Sequence, residues 1–488
     1  MNYKSTQYED ILISTTCFET RVAILENSII QELHIEHNMQ RNIVGNIFIG
    51  KVIRVLPGLQ SAFIDIGLDK AAFIHISDFR ENKHENTMTP SIEKFIFPGE
   101  TILVQVIKDQ IGTKGARVST QISIAGRMLV YLPFDNCLGV SQKIKSEIDR
   151  EKIKTRVQSL ITNNRGGFII RTQAEEATDE EISADLKYLN TLWENIIGTA
   201  KSNRSPSLIY KDLDLPHKTL RDMVTQKTRA INIDSGHVAN NLLNWAKIFN
   251  PSITEKIHYY DKETSIFEAA NIDQEINTAL SKKVELKSGG YLIIEETEAL
   301  TSIDVNTGGF VGGKNFKDTI FRTNLEATQA IARQLRLRNL GGIIIVDFID
   351  MDDQDHKKAV LKELQKSISK DRTKITLSEF SQLGLVEMTR KRTRESLTNQ
   401  LCEPCNICQS RGVIKTSRTI CYEILREIVK ESKQFNPKEF RIIASQKIID
   451  MFLEESQYLT IIEDQIKKPI SLIVENGYYQ EQYDIALL

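Results

Sequence analysis

Two stretches of the chain open on paired glycines, run through consecutive apolar residues and reach a carboxylate. They are GGYLIIEETEALTSIDVNTGG, from Gly289 to Gly309, and GGIIIVDFIDMDD, which starts at Gly341. Continuous apolar runs such as YLIIEE and IIIVDF read as strands buried on both faces, central in a sheet that helices cover. Helical spacing follows each one, in NLEATQAIARQLRLR and in HKKAVLKELQKSISK. An α/β arrangement is the expected fold class for this part of the chain.

A carboxylate at the end of a central strand emerges where open sheets place their sites. Asp304 and Asp347 are therefore expected to converge at neighbouring strand ends. Asn306 lies two residues beyond Asp304 and points the same way in extended geometry. Asp350 is a further candidate. Two or three hard oxygen ligands facing water suit Mg²⁺, which keeps several waters and takes few carboxylates. The competing reading is that each Asp only forms a turn or caps a helix. Recurrence of the glycine-led pattern brings the two readings level, and neither names a reaction.

The chain has 488 residues, 41% hydrophobic and 26% charged, which is enough apolar material for several domains. A net charge of -2 excludes a uniformly basic surface, so nucleic-acid binding has to come from local patches. No apolar run reaches membrane-span length, and the first residues lack a secretory layout. Six cysteines, three of them crowded at Cys402, Cys405 and Cys408, suit a reducing, cytoplasmic setting. Arg333, Arg336 and Arg338 precede the second glycine-led strand, and Arg390, Lys391, Arg392 and Arg394 follow it. As a cationic rim around a Mg²⁺ site they point to a phosphodiester substrate. As isolated runs they read as solvated faces.

Short alternating strands between Gly, Pro and Asp turns, from NIFIGKVIRVL to GETILVQVIK and GARVST, suggest a small closed barrel of five strands, the OB type. Phe63 and Phe73 lie on its strand pattern, with Lys51, Arg54, Lys70 and Lys114 nearby. They read equally as a base-stacking, backbone-tracking surface or as barrel core. The stretch before the barrel alternates like strands but shows no completion of its own. Ile182, Leu186, Leu189, Trp193 and Ile196 mark one face of a helix. Cys405 and Cys408 have the spacing of half a tetrahedral zinc site. Either Cys402 or Cys421 completes that site, or a second copy of the chain does.

The stretches EALTSIDVNTGGF, TNLEATQAIARQLRLRNLGGIIIVDFIDM, GLVEMTRKRTRESL and LCEPCNICQSRGVIKT together resemble the bacterial ribonuclease E/G family. The resemblance runs from the N-terminus to GYYQEQYDIALL. The length suits the shorter type in that family, without the unstructured scaffold of the longer one. The fold it implies is a multidomain α/β chain. An RNase H-like subdomain, structural and not catalytic, comprises 1–37 and 215–279. An S1-type OB domain covers 38–119 and a 5′-sensor region 120–214. A DNase I-like catalytic subdomain covers 280–401, a zinc link 402–415 and a small C-terminal domain 416–488.

The implied activity is Mg²⁺-dependent, single-strand-specific endoribonuclease cleavage, leaving 5′-phosphate and 3′-hydroxyl ends. It would be stimulated by 5′-monophosphate RNA ends and act in 16S rRNA 5′-end maturation and mRNA decay. By this resemblance Asp304 and Asp347 hold Mg²⁺ and Asn306 orients the phosphate or the water. Phe63, Phe73 and Lys114 contact RNA. Gly126, Val130, Arg171, Thr172 and Lys374 form the 5′-phosphate sensor. Cys405 and Cys408 share a zinc ion with the same pair of a second protomer, making a homodimer or higher assembly. Three departures stand out: Asn406 and Ser410 replace the proline and glycine frequent in the zinc loop, Cys402 is an extra candidate ligand, and Lys374 replaces an arginine fork. Two other functions remain in play, a non-catalytic RNA-binding scaffold built on the S1 barrel and a DNA nuclease.

Overall fold

The computed structural model describes residues 8–38, 43–79, 91–110, 115–144, 146–161, 166–309 and 316–488. The chain divides into two compact units, Met1–Leu397 and Thr398–Leu488. Among the described residues no helix is long and apolar enough to cross a membrane.

The N-terminal strands find their completion far along the chain. Glu9–Thr15, Glu19–Glu26 and Ile29–His37 form an antiparallel meander, and Glu9–Thr15 then pairs in parallel with Thr228–Ile233, which pairs with Ile257–Tyr259. Both faces of this sheet are covered. Ile11, Ile13, Ile231 and Ile233 pack with Ala239, Leu242 and Ala246 of helix Gly236–Phe249 on one side. Leu12, Ala23, Leu25 and Leu33 pack with Phe267, Ile272 and Leu337 on the other.

The expected five-stranded barrel is present. Ile47–Leu56, Ser61–Asp65, Ala72–His75, Arg117–Ser119 and Thr101–Lys108 pair in that order, and the last closes onto the first. A four-stranded sheet follows, in the order Leu138–Val140, Gly167–Ile170, Leu129–Leu132, Ile124–Ala125. Helix Asp179–Ser202 covers it, burying Ile182, Leu186, Leu189 and Ile196 against Phe168. Thr178 and Glu181 form a reciprocal capping box that fixes where this helix starts.

A six-stranded sheet carries both glycine-led motifs. Its order is Lys283–Glu285, Tyr291–Glu296, Leu300–Asn306, Gly342–Asp347, Leu385–Arg390, Ile375–Phe380. Leu300–Asn306 and Gly342–Asp347 are the two central strands and run parallel. The expected helices are Phe316–Leu337 and Gln354–Ile368. The expectation of burial on both faces fails, however. Leu292, Ile294, Ile303, Val305, Ile344 and Val346 join one core with helix residues Ala327, Ile331, Leu335, Val360 and Leu364. Their neighbours on the opposite face stay open, Ile343 being 50% exposed. Both helices therefore lie on one face, and the second face is left to the carboxylates.

The unit Thr398–Leu488 holds a three-stranded sheet, Ile470–Val474, Phe440–Ala444, Tyr483–Leu487, with helices Ser417–Gln434, Gln446–Glu454 and Ser456–Ile466. Ile424, Ile428, Phe440, Ile442 and Ile448 are fully buried in its core.

Candidate active site and RNA-facing surfaces

Asp304 and Asp347 are register partners across the two central parallel strands. Adjacent strands lie about 4.8 Å apart and in-register side chains share a face, so both carboxylates emerge side by side on the open face. Both are exposed, above the buried pairs Ile303–Val305 and Val346–Phe348. Asn306 donates its Nδ2 hydrogen to Asp304 Oδ2 at 2.8 Å, which orients that carboxylate. Burial first, and then the charges of Asp304 and Asp350, push the Asp347 carboxyl above its ordinary range.

The flanking glycines have a packing cause. A Cβ on Gly290 would lie 2.7 Å from the Asn306 carbonyl oxygen, and one on Gly308, whose φ is +60°, would lie 2.5 Å from the Gly289 carbonyl oxygen. The two glycine pairs touch each other at the end of the hairpin that carries Asp304 and Asn306.

One positioning residue has no counterpart in the sequence reading. Asn324, on helix Phe316–Leu337 and fully buried, donates to the Ile349 carbonyl at 2.8 Å and accepts the Ile349 N–H at 3.1 Å. It clamps the backbone between Asp347 and Asp350. The sole signal for it was an amide on the apolar face of a helix.

The cationic rim is not what the arginine runs build. Arg336 and Arg338 are 8% and 4% exposed, and Arg390 is 5% exposed. Arg333 pairs with Glu275, Arg336 with Glu26 at 3.0 Å, and Arg390 with Asp371 at 2.8 Å. Arg338 and Arg394 are pushed down to about 10, burial being the largest cause for both. Helix Phe316–Leu337 packs on strand Ile29–His37, so Arg336 faces Glu32 of that strand and Glu26 of the strand before it instead of solvent. Lys391 and Arg392 alone of those seven basic residues are exposed.

On the barrel, Phe63 and Phe73 face outward. They are register partners on adjacent strands, half-buried, while Ala62, Ile64, Ala72 and Ile74 between them fill the core. Their rings meet edge to face with centroids 6.0 Å apart. Exposed Arg54 is the register partner of Phe63, and Lys51 and Lys70 are also exposed. Lys114 lies outside the described residues.

Gly126, Val130 and Arg171 come together at one sheet end. Asp185 accepts backbone N–H groups from Arg127, Met128 and Leu129 at 3.1, 2.8 and 2.9 Å, and it leaves no room for a Cβ at Gly126. Arg171 donates to the Gly126 carbonyl at 2.5 Å and pairs with Asp222 at 2.8 Å. Val130 pairs with Ile169 and Ala125, and Thr172 opens a short turn directly after Arg171. Lys143, which sequence reasoning passed over, joins this cluster. Burial lowers its ammonium, Asp371 raises it, and Arg171 and Arg372 lower it again. Lys143 also donates to the Arg372 carbonyl, two residues before exposed Lys374, and Arg372 donates to the carbonyl of Met223, the neighbour of Arg171's partner Asp222.

Cys405 is exposed, and the N–H groups of Cys408 and Ile407 hold its thiol below the ordinary range. Cys421 is buried, donates to the Ile448 carbonyl and is pushed up to about 12 by burial. It faces the core of its unit and does not complete the cysteine site. Among the described residues no three His, Cys, Asp or Glu side chains gather as a metal cage.

Comparison with known proteins agrees over nearly the whole chain. The model of the "Ribonuclease E/G family" matches residues 123–393. Ribonuclease G of Salmonella typhimurium (strain SL1344) is 45% identical over 487 residues, which covers 98% of this chain and 99% of that one. Ribonuclease G of Escherichia coli (strain K12) shows the same identity and coverage. Ribonuclease E of Escherichia coli (strain K12) is 34% identical over 445 residues, 90% of this chain but 42% of its own length.

Proposed function

Since this chain belongs to the ribonuclease E/G family, we propose that it is an endoribonuclease of the ribonuclease G type, with its hydrolytic centre at Asp304 and Asp347. The observation that carries this reading is their placement in register on adjacent parallel strands. A non-catalytic scaffold has no use for two like charges held side by side.

The donor set fits Mg²⁺: hard oxygens only, few in number, open to water, and mutually repulsive without a cation. Asp304 and Asp347 would hold the ion, with Asp350 close by. When bound, a divalent cation supplies charge neutralisation at the phosphate and a more acidic water. The chain's own residues do the rest. Asn306 holds Asp304 in one orientation and presents an amide toward phosphate or water. Asn324 keeps the turn after Asp347 rigid. Water attack leaves 5′-phosphate and 3′-hydroxyl ends and makes no use of the ribose 2′-hydroxyl.

Phe63 and Phe73 offer stacking faces for unpaired bases, in keeping with single-strand specificity. Arg171, Thr172, Gly126, Val130 and Lys374, with Lys143 beside them, form a pocket whose cations repel one another. A terminal monophosphate would relieve that repulsion, whereas a triphosphate is too large for a fitted pocket. Cys405 and Cys408 supply half of a zinc site, and a second copy of the chain supplies the rest, which makes a homodimer. The S1-type barrel, RNase H-like, 5′-sensor and DNase I-like parts follow the boundaries given above. The cellular role we assign is 16S rRNA 5′-end maturation and mRNA decay, in the cytoplasm.

The sensing part is tested with one unstructured RNA carrying a 5′-monophosphate, hydroxyl or triphosphate. Faster cutting of the monophosphate form, lost in Arg171→Gln, is the expected outcome. Equal cutting of all three by the unmodified chain removes the sensor from the account.

A further inference from the structure

The loop that carries Cys405 and Cys408 is held in a conformation its own residues disfavour. Gln409 and Ser410 both have positive φ, 48° and 65°. Neither is glycine, and two consecutive left-handed residues persist only where surrounding contacts over-determine them. Those contacts come from the turn before the last strand, Tyr483–Leu487. The Glu481 carboxylate accepts the Arg411 guanidinium and the Lys415 N–H. Gln480 donates to the Lys415 carbonyl at 2.8 Å. Arg411, so anchored, turns back on the Cys408 carbonyl, which accepts its Nε at 3.0 Å and its backbone N–H at 2.9 Å. The Ser410 N–H reaches the Cys405 carbonyl at 3.3 Å. Each cysteine backbone is thereby tied to the strained pair, and the strained pair to Glu481.

We propose that Arg411 and Glu481 are positioning residues of the cysteine metal site, and that the turn holding Gln480 and Glu481 is part of that site. This rests on the reading that Cys405 and Cys408 bind zinc. Outer partners that orient metal ligands commonly set affinity by about 10- to 100-fold. Neither side chain is buried, and their exposure is 41% for Arg411 and 20% for Glu481. Substituting them should therefore leave the fold of this unit intact.

The test is zinc affinity of the full chain, measured by competition with a chromophoric chelator and paired with sedimentation for the oligomeric state. Arg411→Met and Glu481→Gln should each bind zinc about 10- to 100-fold more weakly, with unchanged circular dichroism and a smaller dimer fraction. Adding Ser410→Gly to Arg411→Met should recover affinity, since glycine removes the strain that the clasp offsets. Affinity within about twofold of the unmodified chain in both single variants, a difference too small for an orienting partner, overturns the proposal and leaves the zinc reading standing. An unmodified chain that binds no more zinc than a Cys405→Ser, Cys408→Ser double variant overturns both.

Discussion

Asp304 and Asp347 stand in register at the C-terminal ends of two parallel strands, both exposed, with the Asp347 carboxyl pushed up by burial and by its neighbours' charge. A pair arranged this way lowers stability without a cation. Asp304→Asn should therefore raise unfolding free energy by roughly 0.2–1 kcal/mol, the scale of exposed charge pairs, while lowering cleavage at least about 100-fold. Mg²⁺ should raise the melting temperature of the unmodified chain and not that of the variant. Thermal unfolding with and without Mg²⁺ reads both effects. A variant less stable than the parent would count against this assignment.

Asn324 makes a second prediction. Asn324→Leu leaves the N–H and C=O of Ile349 without partners, at about 1–3 kcal/mol for each unsatisfied group. It also frees the turn between Asp347 and Asp350. The Mg²⁺ concentration for half-maximal cleavage should rise about tenfold or more. A drop in stability with an unchanged Mg²⁺ requirement would make Asn324 a packing residue only.

The barrel surface is tested by binding. Phe63→Ala and Phe73→Ala should each weaken a short single-stranded RNA by about 1–3 kcal/mol, the range for one stacked base. Both rings are half-exposed, so melting temperature should barely change. Fluorescence anisotropy on labelled RNA, set against calorimetry, separates the two.

His34 yields a pH prediction. Burial, and then Arg394 and Arg372, hold it down to about 4 against the pull of Glu32, whereas an unfolded histidine titrates near 6.5. Between those values the unfolded chain binds more protons, so stability falls as pH drops from about 6.5 to about 4. Glu32 is held down to about 2, because His34, Arg372 and Arg336 outweigh its burial. Its contribution is present above about 4.5 and is lost below that. His34→Gln should flatten the upper window and also shrink the lower one, because it removes the His34 partner that helps hold Glu32 down. Urea unfolding between pH 4 and 7 reads this, and an unchanged slope would show that His34 is not the titrating group.

Local signals carried the reading where the physics is local. Alternation marked the barrel strands, and four-three spacing marked the helix with Ile182 and Leu189. Two glycine-led runs located Asp304 and Asp347, because close approach of Gly290 to Asn306 needs glycine whatever the rest of the chain does. Non-local pairing defeated it elsewhere. No local signal near Glu9–Thr15 announces a partner at Thr228–Ile233, and only the family resemblance joined 1–37 to 215–279. The apolar run IIIVDF looks the same whether helices cover one face or two. Arg336 and Arg390 read as surface charge because nothing in their own runs announces their partners, Glu26 310 residues away and Asp371 19 residues away. Alternation also left Phe63 and Phe73 undecided, since it identifies two faces without saying which one is the core.

The most direct measurement is cleavage of a 5′-monophosphorylated, unstructured RNA by the unmodified chain and by Asp304→Asn and Asp347→Asn, in Mg²⁺ and in chelator, with the product ends identified. The account predicts internal cutting that needs Mg²⁺, leaves 5′-phosphate and 3′-hydroxyl ends, and disappears in both variants while RNA binding persists. Cutting that survives in either variant, or that leaves a 2′,3′-cyclic phosphate, would contradict it.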